Sequence, residues 1–144
     1  NHARPGAESR HNLVYWRGGA FAGIGPGAHG RLDLASGRVG TATERSPERW
    51  LDRVEREGHG LAPFEPLDAA TQLAELVMMG LRLAEGVPLA RIEALAGRPW
   101  RDALDRRGLA RAERRGHLIV EDGRLKATAP GRLLLDAVLV DLLP

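Results

Sequence analysis

The chain has 144 residues, room for one ordinary hydrophobic core or for a core with an appendage. Its formal charge is +2 with a sequence pI near 9.9, and nearly all the base is arginine, so anion binding is permitted without being demanded. The absence of cysteine excludes a disulfide scaffold and any thiolate-held cluster, and no apolar run reaches the ~18 residues that cross a bilayer. These features suit a soluble, cytosolic chain that meets membranes only through partners, and a start without methionine or a signal-like segment suggests an excised fragment.

Side-chain chemistry concentrates early. His11 to Gly30 holds two of the five histidines, three of the six aromatics and six of the eighteen glycines. Leu13 to Trp16 has the composition of a strand closed by Gly18-Gly19, and Ala20 to Ile24 of a second that enters the glycine loop Gly25-Pro26-Gly27-Ala28-His29-Gly30. That loop satisfies the dinucleotide pattern G-x-G-x-x-G, which works only when a helix opens at the last glycine and aims its N-terminus at a pyrophosphate. Arg31 to Gly40 instead alternates and breaks at glycines, so the dinucleotide reading is rejected. Residues 1 to about 43 are expected to be edge strands of a sheet whose other strands lie outside this chain.

Helical signals follow. Ser46-Pro47-Glu48 caps a helix that ends at Gly58, with Trp50, Leu51 and Val54 at one-turn spacing and Trp50 expected in a core. Gly58 to Pro66, with Pro63 and Pro66, reads as a linker and domain boundary. Asp68 opens the strongest helix, in which Leu73, Leu76, Val77, Gly80, Leu81 and Ala84 recur with helical period until Glu85-Gly86; Met78 and Met79 read as packing residues. Shorter helices follow from Pro88 to Ala96 and from Pro99 to Gly108. His117–Glu121 and Arg124–Thr128 form a hairpin about Asp122-Gly123, the pair that a type I′ turn requires. A last helix, capped by Thr128 or Ala129, runs from Pro130 to about Leu143 and carries Leu133, Leu134, Ala137, Val138, Val140 and Leu142. Helices followed by a hairpin and a helix resemble a winged-helix arrangement, and the fold class is α+β.

A winged helix raises nucleic acid as a partner. Between Arg98 and Gly116, seven arginines face three acids, a local net charge of +4. The acids are interleaved at helical spacing and no aromatic lies among the later arginines, so a solvated surface is the simpler reading and nucleic acid is not expected. His59 and His117 stand apart from any ligand set, and Ser9, Ser36 and Ser46 lack the strand–elbow–helix setting of a hydrolase nucleophile. His11 alone would be read as a histidine ordered at a strand end. An imidazole can also ligate haem iron, with Tyr15 and Trp16 offering flat apolar contact.

His11-Asn12-x-x-Tyr15-Trp16 followed by Gly23-Ile24-Gly25-Pro26-Gly27-Ala28-His29 resembles the later part of the oxygen-independent coproporphyrinogen III oxidase-like proteins, in particular their radical S-adenosylmethionine haem-chaperone branch (HemW type, with HemN the oxidase). Asn1-His2-Ala3-Arg4-Pro5-Gly6 resembles the strand exit before that motif, and Met79 to Val87, Gly108-Leu109 and Thr128 to Gly131 resemble the family's C-terminal domain. The resemblance implies three segments: residues 1–45 as the last strands and glycine loop of an incomplete radical SAM barrel, 46–66 as a linking helix and linker, and 67–144 as a winged-helix-like C-terminal domain. It implies a parent with a [4Fe–4S] cluster, S-adenosylmethionine and haem. The missing N-terminal barrel half and respiratory haem-acceptor proteins would be its partners, and haem or porphyrin its cargo. His11 would be an iron ligand, with Asn12, Tyr15 and Trp16 as haem contacts. Gly25, Gly27 and His29 would lie near the S-adenosylmethionine and substrate region. Without cluster cysteines the chain is not expected to catalyse radical chemistry alone. Haem delivery is the leading function, with oxidative decarboxylation of coproporphyrinogen, or a non-enzymatic nucleic-acid- or protein-binding module, as alternatives.

Overall fold

The computed structural model describes residues 3, 4 and 6–143. The strand exit expected at residues 1–6 depends on Asn1, His2 and Pro5, which lie outside them. The chain divides into two compact units, one of residues 1–18 with 68–144 and one of residues 19–67. The first eighteen residues thus group with the C-terminal part, and not with the strands of residues 19–45.

In the larger unit, α1 (Arg10–Trp16) is a helix where strand-like composition suggests a strand. The Ser9 hydroxyl caps it by accepting the Asn12 N–H at 3.4 Å. Seven residues are too few for a helix to hold by itself, so packing on α3 (Ala69–Gly80) decides the conformation against propensity. Asp68 caps α3 as expected, its carboxylate accepting the Thr71 N–H at 2.7 Å. The helix stops at Gly80, short of Glu85, and the chain turns through Leu81 and Leu83, both buried, while Ala84 is exposed. Strand β4 (Val87–Pro88) leads into α4 (Leu89–Ala96), closed by Gly97 in the left-handed conformation.

The expected helix from Pro99 to Gly108 is two helices, α5 (Trp100–Ala103) and α6 (Arg106–Arg114). Leu104 is extended, and the Asp105 carboxylate starts α6 anew by accepting the Gly108 N–H at 2.6 Å. Gly108 is therefore buried inside a helix and does not end one. Strands β5 (Leu118–Glu121) and β6 (Arg124–Ala127) form the expected hairpin, with Asp122 and Gly123 both at positive φ, and pair in the antiparallel order β4-β6-β5. The last helix is interrupted at Leu134 into α7 (Ala129–Leu133) and α8 (Leu135–Leu142). The break shifts the inward face to Leu135, Val138, Leu139 and Leu142, leaving Leu133 87% and Val140 80% exposed. These four join Leu76, Val77, Leu81, Val87, Ile92, Leu109 and Leu125 in one core.

The smaller unit is built around β1 (His29–Leu34), β2 (Gly37–Ala42) and a short β3 (Glu65–Pro66), antiparallel in that order. A strand, not a helix, thus follows the glycine loop. The Ala20–Ile24 segment is reduced to one bridge between Phe21 and Arg31, and the Gly58–Pro66 linker lays its end along β2. Helix α2 (Pro47–Glu57) starts at Ser46 and ends at Gly58 as its caps dictate. It buries no residue: Trp50 is half-buried against Gly60 and Leu51 is exposed, so the expected core role of Trp50 is not seen. Among the described residues of this unit Val39 is the one buried hydrophobic side chain, and Thr41 and Thr43 are the buried polar ones.

Candidate functional site

The helical conformation of α1 rearranges the His11-Asn12-x-x-Tyr15-Trp16 motif. Residues four apart are neighbours on a helix. The motif is therefore two interleaved pairs, His11 with Tyr15 and Asn12 with Trp16, about 100° apart around the axis. The first pair is engaged: the Tyr15 hydroxyl is hydrogen-bonded to His11 Nε2, and the rings meet edge to face with centroids 4.5 Å apart. His11 and Val14 are exposed, while Asn12, Leu13 and Trp16 are half-buried on the side toward α3. An imidazole can serve as a metal ligand, but the Tyr15 hydroxyl occupies His11 Nε2 in this arrangement.

The end of α1 is fastened by charges. Arg17 meets Glu85 in a bidentate pair at 3.0 Å for both contacts, and Arg91 Nη1 donates to the Arg17 carbonyl at 2.5 Å. Arg124 donates to the carbonyls of Glu85 at 2.6 Å and Gly86 at 3.0 Å, and its guanidinium lies 3.6 Å from the Glu85 carboxylate. The hydrogen bond from Arg17 holds the Glu85 carboxyl below its usual range against a smaller opposing effect of burial, and the same contact raises Arg17. These side chains, with Trp16, Leu76 and Leu83, line a cavity of about 170 Å³. Sequence reasoning missed it, since Arg17 lies 68 residues from Glu85 and 74 from Arg91.

Gly25, Gly27 and His29 belong to the smaller unit. Gly25 and Gly27 take positive φ of 94° and 69°, and the Thr43 hydroxyl pins the loop by donating to the Gly25 carbonyl at 2.6 Å while accepting the Ala28 N–H at 2.8 Å. His29 begins β1 with its side chain exposed. The close approach of backbones occurs at Gly23, where a Cβ would run into the His29 backbone. No group of three or more metal-ligating side chains is present among the described residues. No helix among them is long and apolar enough to cross a membrane. In the arginine run, Arg101 pairs with Glu113, Arg106 with Asp102 and Arg111 with Asp141, while Arg101 also covers the Trp100 ring at 4.4 Å.

Residues 67–134 match the HemN C-terminal domain. Heme chaperone HemW of Mycobacterium tuberculosis is 38% identical over 143 residues, covering 99% of this chain and 33% of that protein. Heme chaperone HemW of Escherichia coli K12 is 32% identical over 139 residues, covering 96% of this chain and 35% of that protein. The chain is a C-terminal part of a HemW/HemN-type protein. It spans about a third of the length of these relatives. Among solved structures, the radical SAM coproporphyrinogen III oxidase HemN of Escherichia coli superposes with a TM-score of 0.67 over 96% of this chain and 34% of that one, at 18% identity, and so shares the α+β fold. In this HemW/HemN-type chain the match to the C-terminal domain begins at Leu67, at the junction between the two compact units, and runs to Leu134, where α7 gives way to α8. A radical SAM parent implies a [4Fe–4S] cluster and S-adenosylmethionine. With no cysteine the chain offers the cluster no thiolate ligand.

Proposed function

We propose that this chain is the cargo-handling end of a radical SAM haem chaperone, with α1 carrying the haem contact. The observation that carries the reading is the exposed His11, paired with a half-buried Tyr15, on a helix docked to the HemN C-terminal domain, within a chain matched along nearly its whole length by proteins named heme chaperone. His11 is the iron ligand. Tyr15 guards Nε2 and is displaced when iron binds, at the cost of one hydrogen bond, about 1 kcal/mol net. Asn12 and Trp16 orient the helix from the side facing α3 and reach the macrocycle only at its edge.

The order α3, β4, α4, α5, α6, β5, β6, in which the one-turn α5 leads into α6, supports a winged-helix-like reading of residues 67–144. The sparse core of residues 19–67, together with Ile24 at 90% exposure, supports reading them as edge pieces of a barrel completed elsewhere, although their antiparallel pairing differs from the parallel strands inside an α/β barrel; Gly25, Gly27 and His29 would lie toward the S-adenosylmethionine region. Residues 46–66 serve as the link. Respiratory haem-acceptor proteins are the proposed recipients. Coproporphyrinogen oxidation is less well supported, because the likeness to the oxidase is one of fold at 18% identity. Nucleic acid is not favoured, since three of the seven arginines in the basic run are already held by acids.

The test is a haem titration followed by absorbance, with wild type, His11→Ala and Tyr15→Phe side by side. Wild type binds saturably with a Soret shift, His11→Ala loses the shift, and Tyr15→Phe binds about fivefold more tightly because Nε2 no longer has to be released. His11→Ala binding as tightly as wild type with an unchanged spectrum refutes the assignment.

A further inference from the structure

The cavity at the end of α1 has a charge balance that the packing of the helix does not account for. Trp16, Leu76 and Leu83 share its lining with the guanidiniums of Arg17, Arg91 and Arg124, and the one carboxylate of the lining, Glu85, leaves that lining a net charge of +2, with Glu8 acting on Arg17 more weakly than Glu85 does. Arg17 and Arg124 spend part of their donors on Glu85 and on backbone carbonyls. Arg91 donates through Nη1 to the Arg17 carbonyl, and among the described residues its Nε and Nη2 make no further hydrogen bond. A guanidinium presents five N–H donors in a fixed planar fork that fits a carboxylate or phosphate two bonds at a time, so three of them around one acid are in excess. No side chain caps the α4 N-terminus, where Pro88 and Arg91 line the cavity; its Leu89 N–H donates to the Gly123 carbonyl at 2.9 Å, so only the rest of its first turn adds to the excess.

About 170 Å³ corresponds to five or six waters at ~30 Å³ each, the size of a tetrahedral oxyanion with a little apolar space beside it. A phosphate group carries between one and two negative charges near neutrality and offers three acceptor oxygens. We propose that this cavity binds a phosphate group, held by Arg91 with the free edges of Arg17 and Arg124, and that the apolar wall of Trp16, Leu76 and Leu83 favours a phosphomonoester whose body is apolar over free phosphate. The site is separate from the exposed face of α1 that bears His11, and does not depend on haem. Its occupancy draws on Arg17 and Arg91, the side chains that fasten the end of α1, so the anion strengthens the docking of that helix.

Calorimetric titration of the whole chain at low salt, with inorganic phosphate and with phenyl phosphate as separate arms, tests this, and the Trp16 indole N–H is followed by NMR. Saturable binding of both is expected, with phenyl phosphate about tenfold tighter and the Trp16 resonance moving in proportion to occupancy. Arg91→Gln reduces both affinities by at least about tenfold, the loss of one charge-assisted hydrogen bond. Arg91→Lys, which keeps the charge but not the fork, recovers part of it and guards against a variant that merely loosens α1. Absence of saturable binding in either arm, or equal binding by wild type and Arg91→Gln, overturns the site. Equal affinity for the two anions overturns the role of the apolar wall.

Discussion

Gly108→Ala is the substitution whose sign separates tertiary packing from local propensity. In an exposed helix, alanine in place of glycine is worth about 1 kcal/mol in the stabilising direction. Gly108 is buried in the first turn of α6, where a Cβ would overlap the Asp141 carbonyl oxygen of α8 and approach Asp105 Oδ1 at 3.3 Å. The obstacle is backbone and cannot rotate away, so the helices must part. Leu109 and Ala112 then lose contact density against Leu139 and Leu142, all four of them buried. The hydrogen bond from the Asp105 N–H to the Leu142 carbonyl, 2.9 Å long, is stretched as well. Overpacking of this kind costs up to about 3 kcal/mol, and subtracting the propensity gain leaves a net loss of about 2 kcal/mol. Urea denaturation followed by far-UV circular dichroism measures it. Gly97→Ala is the comparison: it has φ 64° with nothing within 4 Å of a Cβ, and should lose about 1 kcal/mol from conformation alone. A Gly108→Ala variant as stable as wild type, or more so, refutes the claim that α6 and α8 are in backbone contact.

Leu125 is fully buried in the central strand of the β4-β6-β5 sheet, so Leu125→Ala should cost about 2 to 5 kcal/mol in the same assay. The docking of α1 should depend on acid. Glu85 has a folded pKa held below its unfolded value, chiefly by the hydrogen bond from Arg17, so its contribution is present at neutral pH and disappears as the pH falls through and below the ordinary carboxylate range. With both side chains at least 40% exposed, solvent screening keeps the contribution small. The Trp16 indole N–H resonance should therefore drift toward its unfolded position at low pH in wild type, and should show no such titration in Glu85→Gln.

What could be read in advance was whatever neighbouring residues decide among themselves. Ser46 and Gly58 bound α2, Asp68 starts α3, and Asp122-Gly123 turns the β5–β6 hairpin, because a cap or a positive-φ turn is settled within four residues. The failures occur where distant chain intervenes. Gly108 looks like a helix stop until α8 is laid across it, and the helix from Pro130 looks continuous until Leu134 breaks it and turns a different set of leucines inward. Trp50 looks like core because its helical spacing is right, but the residues around α2 have almost no core to offer it.

The motif at His11 shows why this matters for the site. Its spacing of four is helical, yet Leu13, Val14, Tyr15 and Trp16 have strand-like composition, and two turns of isolated helix have no stability to set against that preference. Contacts with α3, and the links from Arg17 to Glu85 and Arg91 some seventy residues downstream, make the helix the lower-energy choice. The pairing of His11 with Tyr15 exists only as a consequence, since on a strand the two side chains would share a face without their rings meeting as they do one turn apart. The C-terminal domain thus supplies the geometry of the proposed haem ligand without contributing a ligand itself. Loosening the Arg17 and Arg91 anchors should therefore weaken binding at His11 while leaving every atom of the motif in place.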